Sequence, residues 1–382
     1  MNTTLVNKVK TNFINKFGIE PLLIFSPGRI NIIGEHTDYN DGFVFPAAVD
    51  KGIVAAIQKS DSKKCIAYAI DMQESIEFEL DKLKPSSEGS WENYVFGVVA
   101  EIQNRNKTIS NFNIVFSGDI PSGSGMSSSA ALENSVVFGL NELFNLGLTK
   151  TEMIFISQKA EHNYVGVNCC IMDQYASMFG IANNALLLDC RSIEAKPYEI
   201  DFKDHELILI NTNVKHSLSD SAYNDRRSAC ENIASLLGIK ALRDATETDL
   251  LKIKDKVTPE NYQKALYVIQ ENDRAVKAAK AMTEGDLQTL GRLIYESHNG
   301  LSKQYKVSCE ELDFLVDQAK LNSHVLGARM MGGGFGGCTI NLIEKTETAS
   351  FKTFVSEAYK NTFNKQCSIY SVKLSDGTHV IK

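Results

Sequence analysis

Between Arg29 and Gly42 the chain reads RINIIGEHTDYNDG. Ile30, Ile32 and Ile33 around Asn31 are the content of a buried strand. After Gly34 the sequence becomes Glu35, His36, Thr37, Asp38, Tyr39, Asn40 and Asp41. Three carboxylates, an imidazole, two hydroxyls and an amide crowded at the mouth of a strand are the first candidates for a ligand site. A second group lies in KAEHNYVGVNCCIMDQYASMFG, which holds Glu161, His162 and Asp173. Asp173 sits between apolar neighbours and reads either as a helix cap or as a functional acid. Glu161 taken alone is a surface helix residue, and Arg29, after Pro27-Gly28, reads as an ion-pair partner.

Two glycine-rich stretches accompany these side chains. SGDIPSGSGMSSSAALEN follows a strand pattern and leads into a strong helix pattern, Ala130–Phe144. Gly123 and Gly125 allow close backbone approach, and Ser127, Ser128 and Ser129 can cap the helix or donate hydroxyls. A loop of this kind at a helix N-terminus suits a phosphate; it equally describes a capped helix after a flexible turn. No lysine follows the glycines, so it is not a Walker A loop. MMGGGFGGCTIN formally contains G-x-G-x-x-G at Gly332, Gly334 and Gly337, but CTINLI reads as a strand, whereas a dinucleotide fingerprint needs a helix there. It reads better as a loop whose missing side chains let another loop or a ligand pack close. A phosphate loop, an arginine, two isolated carboxylates and a polar cluster are together the parts of a phosphoryl-transfer site. That chemistry needs positioning, Mg²⁺ and charge neutralisation more than covalent machinery.

The elements that must position these groups are mixed. Residues 1–20 have helical spacing through Leu5, Val9, Phe13 and Phe17. Leu22–Phe25 and Arg29–Ile33 read as strands around a Ser-Pro-Gly turn. Gly52–Lys59, Cys65–Ile70, Ser75–Leu80 and NFNIVFSGDI are further strands, and Trp91–Gln103, Thr151–Tyr164 and Asp173–Phe179 are helices. ALLLDCR, ELILINTNV, CTINLIEK and CSIYSVKL read as strands, and residues 240–320 as helical and charged. With 382 residues, two domains are expected, 1–195 and 196–382, with no linker marking the boundary. The net charge of −7 argues against nucleic-acid or anionic-membrane binding. No secretory signal or membrane span is legible. The eight cysteines form no C-x-x-C pair and no zinc spacing, so reduced thiols in a cytoplasmic protein are expected.

Three segments in order resemble the GHMP small-molecule kinases: Pro27–Pro46, Pro121–Ala130 and Gly332–Gly337. Within that superfamily GRINIIGEHTDYNDGFVFP is similar to the galactokinase family. The likeness continues through CCIMDQ, NTNVKHSLSDSAYNDRR and GRLIYESHNGLSKQYKVSCEELDFLV, covering nearly the whole chain. It implies an α+β, two-domain GHMP kinase fold. The N-terminal domain would be ribosomal-protein-S5-like and the C-terminal one ferredoxin-like, with the active site between them. The implied reaction moves the γ-phosphoryl group of ATP onto the C1 hydroxyl of α-D-galactose. The substrates would be galactose and ATP, with no obligate protein partner.

The resemblance also implies roles. Glu35, His36, Thr37, Asp38 and Tyr223 would line the sugar pocket. An aspartate can accept from two neighbouring hydroxyls at once. Asp173 would be the catalytic base, and Arg29 its partner; an arginine beside an aspartate favours the ionised form. Gly123, Ser124, Gly125, Met126, Ser127, Ser128 and Ser129 would hold the ATP phosphates. Ser129 and Glu161 would hold Mg²⁺, which prefers hard oxygens. The chain departs from the family pattern at Cys170, where glycine is usual beside the sugar, and at Met126, where leucine is usual. A kinase for N-acetylgalactosamine or another sugar, and a non-catalytic galactose-sensing regulator, are the alternatives; regulators of this fold lack the Ser-Ala pair that SSSAA keeps.

Overall fold

The computed structural model describes residues 2–87, 89–215 and 219–382, except for the side chains of 215 and 219–224. Helix α1 (Thr3–Phe17) buries Leu5, Val9 and Phe13, is capped by Asn2, and stops at Gly18 in the left-handed region. Strand β1 (Leu22–Asn31) follows. It is one strand, where the sequence suggested two around a turn. It pairs antiparallel along β3, and a bulge between Pro27 and Arg29 absorbs the proline, which has no N–H for the ladder. β2 (Phe43–Val44) and β3 (Pro46–Lys59) come next, then β4 (Cys65–Ala69), β5 (Glu74–Phe78), α2 (Glu92–Asn104) and β6 (Phe112–Gly118). α3 (Ser128–Phe144), α4 (Lys150–Ala160), a π-helical turn (Glu161–Val165) and α5 (Met172–Phe179) lead to β7 (Asn184–Asp189) and β8 (Glu194–Glu199).

The rest of the chain contains β9 (His205–Lys215), α6 (Ser219–Leu237), α7 (Glu247–Leu251), α8 (Pro259–Glu284), α9 (Leu287–Asn299) and α10 (Glu310–Lys320). β10 (Val325–Met330), β11 (Gly336–Glu344), α11 (Thr348–Phe363), β12 (Ser368–Ser371) and β13 (His379–Val380) complete it. Three sheets result, ordered β13-β1-β3-β6-β4-β5, β10-β11-β9-β12 and β2-β7-β8.

Alternation along β9 shows how the second sheet is sandwiched. Ile208 and Ile210 pack with Leu315, Phe351 and Val355 of α10 and α11. Leu207 and Leu209 pack with Ala278 and Met282 of α8 and Leu290 of α9. That second core also contains Ile30, Ile32, Phe45 and Ala47 from the first sheet's side. One continuous apolar layer therefore locks β1, which carries Arg29, against the C-terminal half. On its other flank, the first sheet packs Ile24, Ile57 and Ile114 against Val136, Val137 and Leu140 of α3 and Ile154 of α4.

Contact between α9 and β10 is backbone to backbone. A Cβ at Gly291 would fall on the Leu326 carbonyl oxygen and lie 2.6 Å from its carbon. Gly291→Ala gains up to about 1 kcal/mol in helix propensity, but overpacking costs about 1–3 kcal/mol or more. Net destabilisation is expected, read as a lower urea midpoint with an unchanged m-value. An unchanged midpoint would show that α9 shifts freely on β10.

Candidate functional site

The bulge in β1 aims Arg29 at the first turn of α5. Its Nε donates to Asp173 Oδ1 at 2.8 Å and its Nη2 to Asp173 Oδ2 at 2.6 Å, a two-point pairing. Nη1 donates to the Gly125 carbonyl, and the Arg29 backbone N–H to the Met126 carbonyl at 3.0 Å. Ser127 Oγ donates to Asp173 Oδ2 at 2.7 Å. One guanidinium thus joins β1, the glycine-rich loop and α5. A Cβ on Gly28 would lie 2.6 Å from the Met126 carbonyl oxygen, so the residue before Arg29 must lack a side chain.

Gly123 and Gly125 have φ of +67° and +70°, and Ser127 has φ of +55°. Ser127 occupies the N-cap position of α3, yet its side chain makes no capping bond there. With that hydroxyl turned to Asp173, it does not satisfy the first N–H groups of α3, which an anion could take. Of the two readings the loop allowed, capped turn or phosphate cradle, this geometry favours the cradle. Met126 turns its side chain into the second core.

Arg29, Glu35, His36, Asp38, Glu161, Cys170 and Asp173 line one cavity of about 460 Å³, closed by residues 165–169 and Gly332–Gly334. This is within the range of small-ligand sites. Thr37 is placed inward, its hydroxyl against the Gly34 and Phe43 carbonyls. The side chain of Tyr223 lies outside the described residues. Glu35 is buried and accepts from Arg329 Nη1 and Nη2 at 3.2 and 3.1 Å and from the Gly332 N–H at 2.9 Å. His36, at φ +63°, shares a 2.9 Å hydrogen bond between Nδ1 and Tyr39 Oη, which meets Tyr305 Oη at 2.6 Å. Burial, with Arg226 and Arg329 nearby, lowers the His36 pKa to about 3, so the ring is neutral at physiological pH.

The carboxylates raise one another. Asp38 is pushed up to about 6 by burial, then by the charges of Asp173 and Glu35. Glu161 is pushed up to about 7 by burial and Asp173, against hydrogen bonds from Cys169, Ser129 and Gln174. The Gln174 amide donates to Glu161 at 2.9 Å and the Cys169 thiol at 3.2 Å. Glu133, fully buried behind them, is held well above the carboxylate range by burial and by Glu161. Burial and Asp38 push the Cys170 thiol up, so it stays protonated beside that carboxylate.

The second glycine-rich stretch, around Gly332–Gly337, is both packing and lining. A Cβ on Gly337 would lie 3.4 Å from the Gly123 carbonyl oxygen, and one on Gly332 3.9 Å from Gly125 Cα. Arg329, Gln174 and Cys169 were not singled out from sequence. Gln174 adjoins Asp173 in IMDQ, the one local signal among them. Arg329 carries none, because its partners are distant in the chain.

Comparisons with known proteins show the family. The galactokinase galactose-binding signature matches residues 11–59, the GHMP kinases N-terminal domain 93–181, and the GHMP kinases C-terminal model 278–361. Galactokinase of Thermotoga neapolitana is 40% identical, covering 93% of this chain and 99% of its own. Galactokinase of Clostridium perfringens strain 13 is 39% identical, covering 97% and 98%. The crystal structure of Lactococcus lactis galactokinase complexed with galactose aligns with a TM-score of 0.94 at 33% identity, covering 98% of this chain and all of that one. A mevalonate kinase structure aligns with a TM-score of 0.67 at 17% identity, covering 93% and 99%, which speaks to fold alone.

The raised carboxyls predict a cost in stability. Asp38 binds its proton more tightly folded than unfolded. Its contribution is full below about pH 4 and is lost as pH rises through about 6. Asp38→Asn is expected to stabilise the ligand-free protein at pH 7.5 by roughly 1–3 kcal/mol, and to have little effect at pH 4. Denaturant melts at both pH values check this. An equal effect at both would assign it to packing.

Proposed function

The chain belongs to the galactokinase family of GHMP kinases, and from that premise we propose how its own residues perform the reaction. It is an ATP-dependent sugar kinase that transfers the γ-phosphoryl group of ATP to the C1 hydroxyl of α-D-galactose, giving galactose 1-phosphate and ADP. The observation that carries the reading is the Arg29–Asp173 pair, bonded by Ser127 of the glycine loop, in a cavity shared with Glu35, His36 and Asp38. The group that takes a proton and the loop that cradles phosphates are thereby held together.

In this reading Glu35, His36 and Asp38 bind the sugar hydroxyls, and Asp38 as a carboxylate accepts from a neighbouring pair. Asp173 receives the C1 hydroxyl proton as the oxygen attacks phosphorus. Arg29 holds that carboxylate in place and offsets charge developing on the transferred group. The N–H groups of the Gly123–Ser129 loop, other than that of Ser124, which donates to the Pro121 carbonyl, and those of the α3 N-terminus take the phosphate oxygens. Residues 1–195 and 196–382 act as the two kinase domains, with the reaction at their junction and in the cytoplasm, where ATP is supplied.

Mg²⁺ fits the residues present. Ser129 and Glu161 offer hydrogen-bonded hard oxygens, and the Glu161 carboxylate is surrounded by other acids. Among the described residues no group of three or more His, Cys, Asp or Glu is placed to hold a metal alone. That suits an ion which keeps waters and takes phosphate oxygens as further ligands. When bound, it would neutralise phosphate charge during transfer.

ADP release with Mg-ATP over galactose, N-acetylgalactosamine, glucose, arabinose and no sugar tests the assignment. Preferential turnover of galactose is expected; preference for another sugar would reassign the pocket. Asp173→Asn is expected to lower kcat by about 10²–10⁴ while galactose binding survives. Near-parental turnover would remove Asp173 from the mechanism. Cys170→Gly is expected to leave the galactose KM unchanged or lower it, because the thiol crowds Asp38. A large loss of activity would mean that the loop depends on the cysteine.

A further inference from the structure

Helix α8 falls in the stretch that reads as helical and charged in sequence, and one of its faces is buried under the sugar loop. Glu271 is fully buried and uses both carboxylate oxygens. Its Oε1 accepts from the Gly34 N–H at 2.9 Å, the Glu35 N–H at 3.3 Å and Ser297 Oγ at 2.7 Å. Its Oε2 accepts from Arg274 Nε at 2.6 Å. Successive backbone N–H groups turned the same way make an anion-binding concavity. Here an internal carboxylate occupies it.

The other end of the loop is held from the same helix. Asn272 Oδ1 accepts from the Phe43 N–H at 2.8 Å. One turn earlier, Tyr267 Oη donates to the Glu35 carbonyl at 3.0 Å. Between these anchors lie Glu35, His36 and Asp38. The loop needs such anchors because its backbone is unusual. Gly34 has φ of +97°, His36 has φ of +63°, and a Cβ on Gly34 would lie 2.8 Å from the Phe43 carbonyl oxygen. A non-glycine residue in that region persists when its surroundings over-determine it.

We propose that Glu271 and Asn272 are positioning residues for sugar recognition: they grip both ends of the loop from Gly34 to Phe43 and preset the hydroxyl-binding side chains. Neither touches the sugar. The proposal rests on the assignment of that loop as the sugar site. Presetting lowers the ordering cost of binding, so its loss falls on the sugar and spares the nucleotide, which is held by Gly123–Ser129.

The test compares steady-state kinetics of Glu271→Ala, Glu271→Gln, Asn272→Ala and Asp38→Asn. Glu271→Ala leaves two backbone donors and an arginine without their acceptor. The galactose KM is expected to rise about 10- to 100-fold, with the ATP KM within about threefold. Glu271→Gln keeps an acceptor oxygen at the same place and is expected to recover most of that loss. Asn272 is only partly buried, so Asn272→Ala should fold; a rise of about 3- to 10-fold in galactose KM is expected. Equal effects on both substrates, or no effect of Asn272→Ala on the galactose KM, would overturn the clamp. Asp38→Asn separates the two ideas. If it leaves the galactose KM unchanged, the sugar-loop assignment fails and the clamp falls with it. If it raises the KM while the α8 variants do not, the clamp alone fails.

Discussion

Arg29 is the constraint on which the site depends. Its guanidinium bonds to both oxygens of Asp173 and to the Gly125 carbonyl, and its backbone N–H to the Met126 carbonyl. The side chain is nearly enclosed, with 7% of its surface exposed, so these bonds are made with little competition from water. The Asp173 carboxylate and the Gly123–Ser129 loop, which Arg29 joins, lie about fifty residues apart in the chain. Sharing one planar donor fixes their distance and angle together. A lysine would keep the charge and lose the geometry, since a point charge has no fork.

Around that pair, like charges are gathered where water is scarce. Asp38, Glu161 and Glu133 are all shifted upward, burial first and neighbouring carboxylates second. Such an arrangement opposes stability and favours ligands that bring compensation. On the proposed assignment, sugar hydroxyls would donate to Asp38 and a hard cation would relieve Glu161. Glu35 differs in being paired with Arg329, which is wholly buried and also bonds to the Asn31, Ile32 and Met330 carbonyls. Because Glu35 Oε1 accepts the Gly332 N–H as well, the loop after Gly34 and the second glycine-rich stretch share one carboxylate. That stretch in turn touches Gly123 and Gly125. Sugar loop, glycine run and phosphate loop form one connected layer.

Much of this was legible in sequence, for physical reasons that also mark the limits. Strands such as Phe112–Gly118 and helices such as Ser128–Phe144 announced themselves by period. Phe43–Val44 carries too few residues for a period to be read, and Glu194–Glu199 is polar, mostly exposed and holds a proline. Helix Thr348–Phe363, which follows β11 after Lys345–Glu347 alone, was not read from sequence, although Phe351, Val355 and Tyr359 have the spacing of a buried helical face. Proline in the middle of β1 looked like a turn, because pairing with β3 cannot be seen locally. The polar cluster after Gly34 was visible, but its orientations were not. Thr37 faces the Gly34 and Phe43 carbonyls while its neighbours line the cavity. Arg329 and Glu271 act across nearly three hundred and about two hundred and forty residues of chain, and only the fold brings them to the site.

Both ligand loops place a non-glycine residue in the left-handed region, His36 at +63° and Ser127 at +55°. Each such residue costs of the order of 1–3 kcal/mol, and each is held by more than one contact. Ser127 is bonded to Asp173, and its neighbour Met126 is buried in the core beneath. His36 is bonded to Tyr39 and lies with its ring centroid 5.0 Å from that of Tyr305. Strain distributed in this way is compatible with a rigid loop and poorly compatible with one that forms only on binding, because the anchoring contacts lie in the protein rather than in the substrate. Selectivity here therefore derives chiefly from preset donors and acceptors. On the proposed assignment, a sugar presenting its hydroxyls elsewhere would leave Asp38 facing an unpaired, desolvated gap, whereas Glu35 keeps its pairing with Arg329; an unpaired buried charge is penalised more than a missed contact.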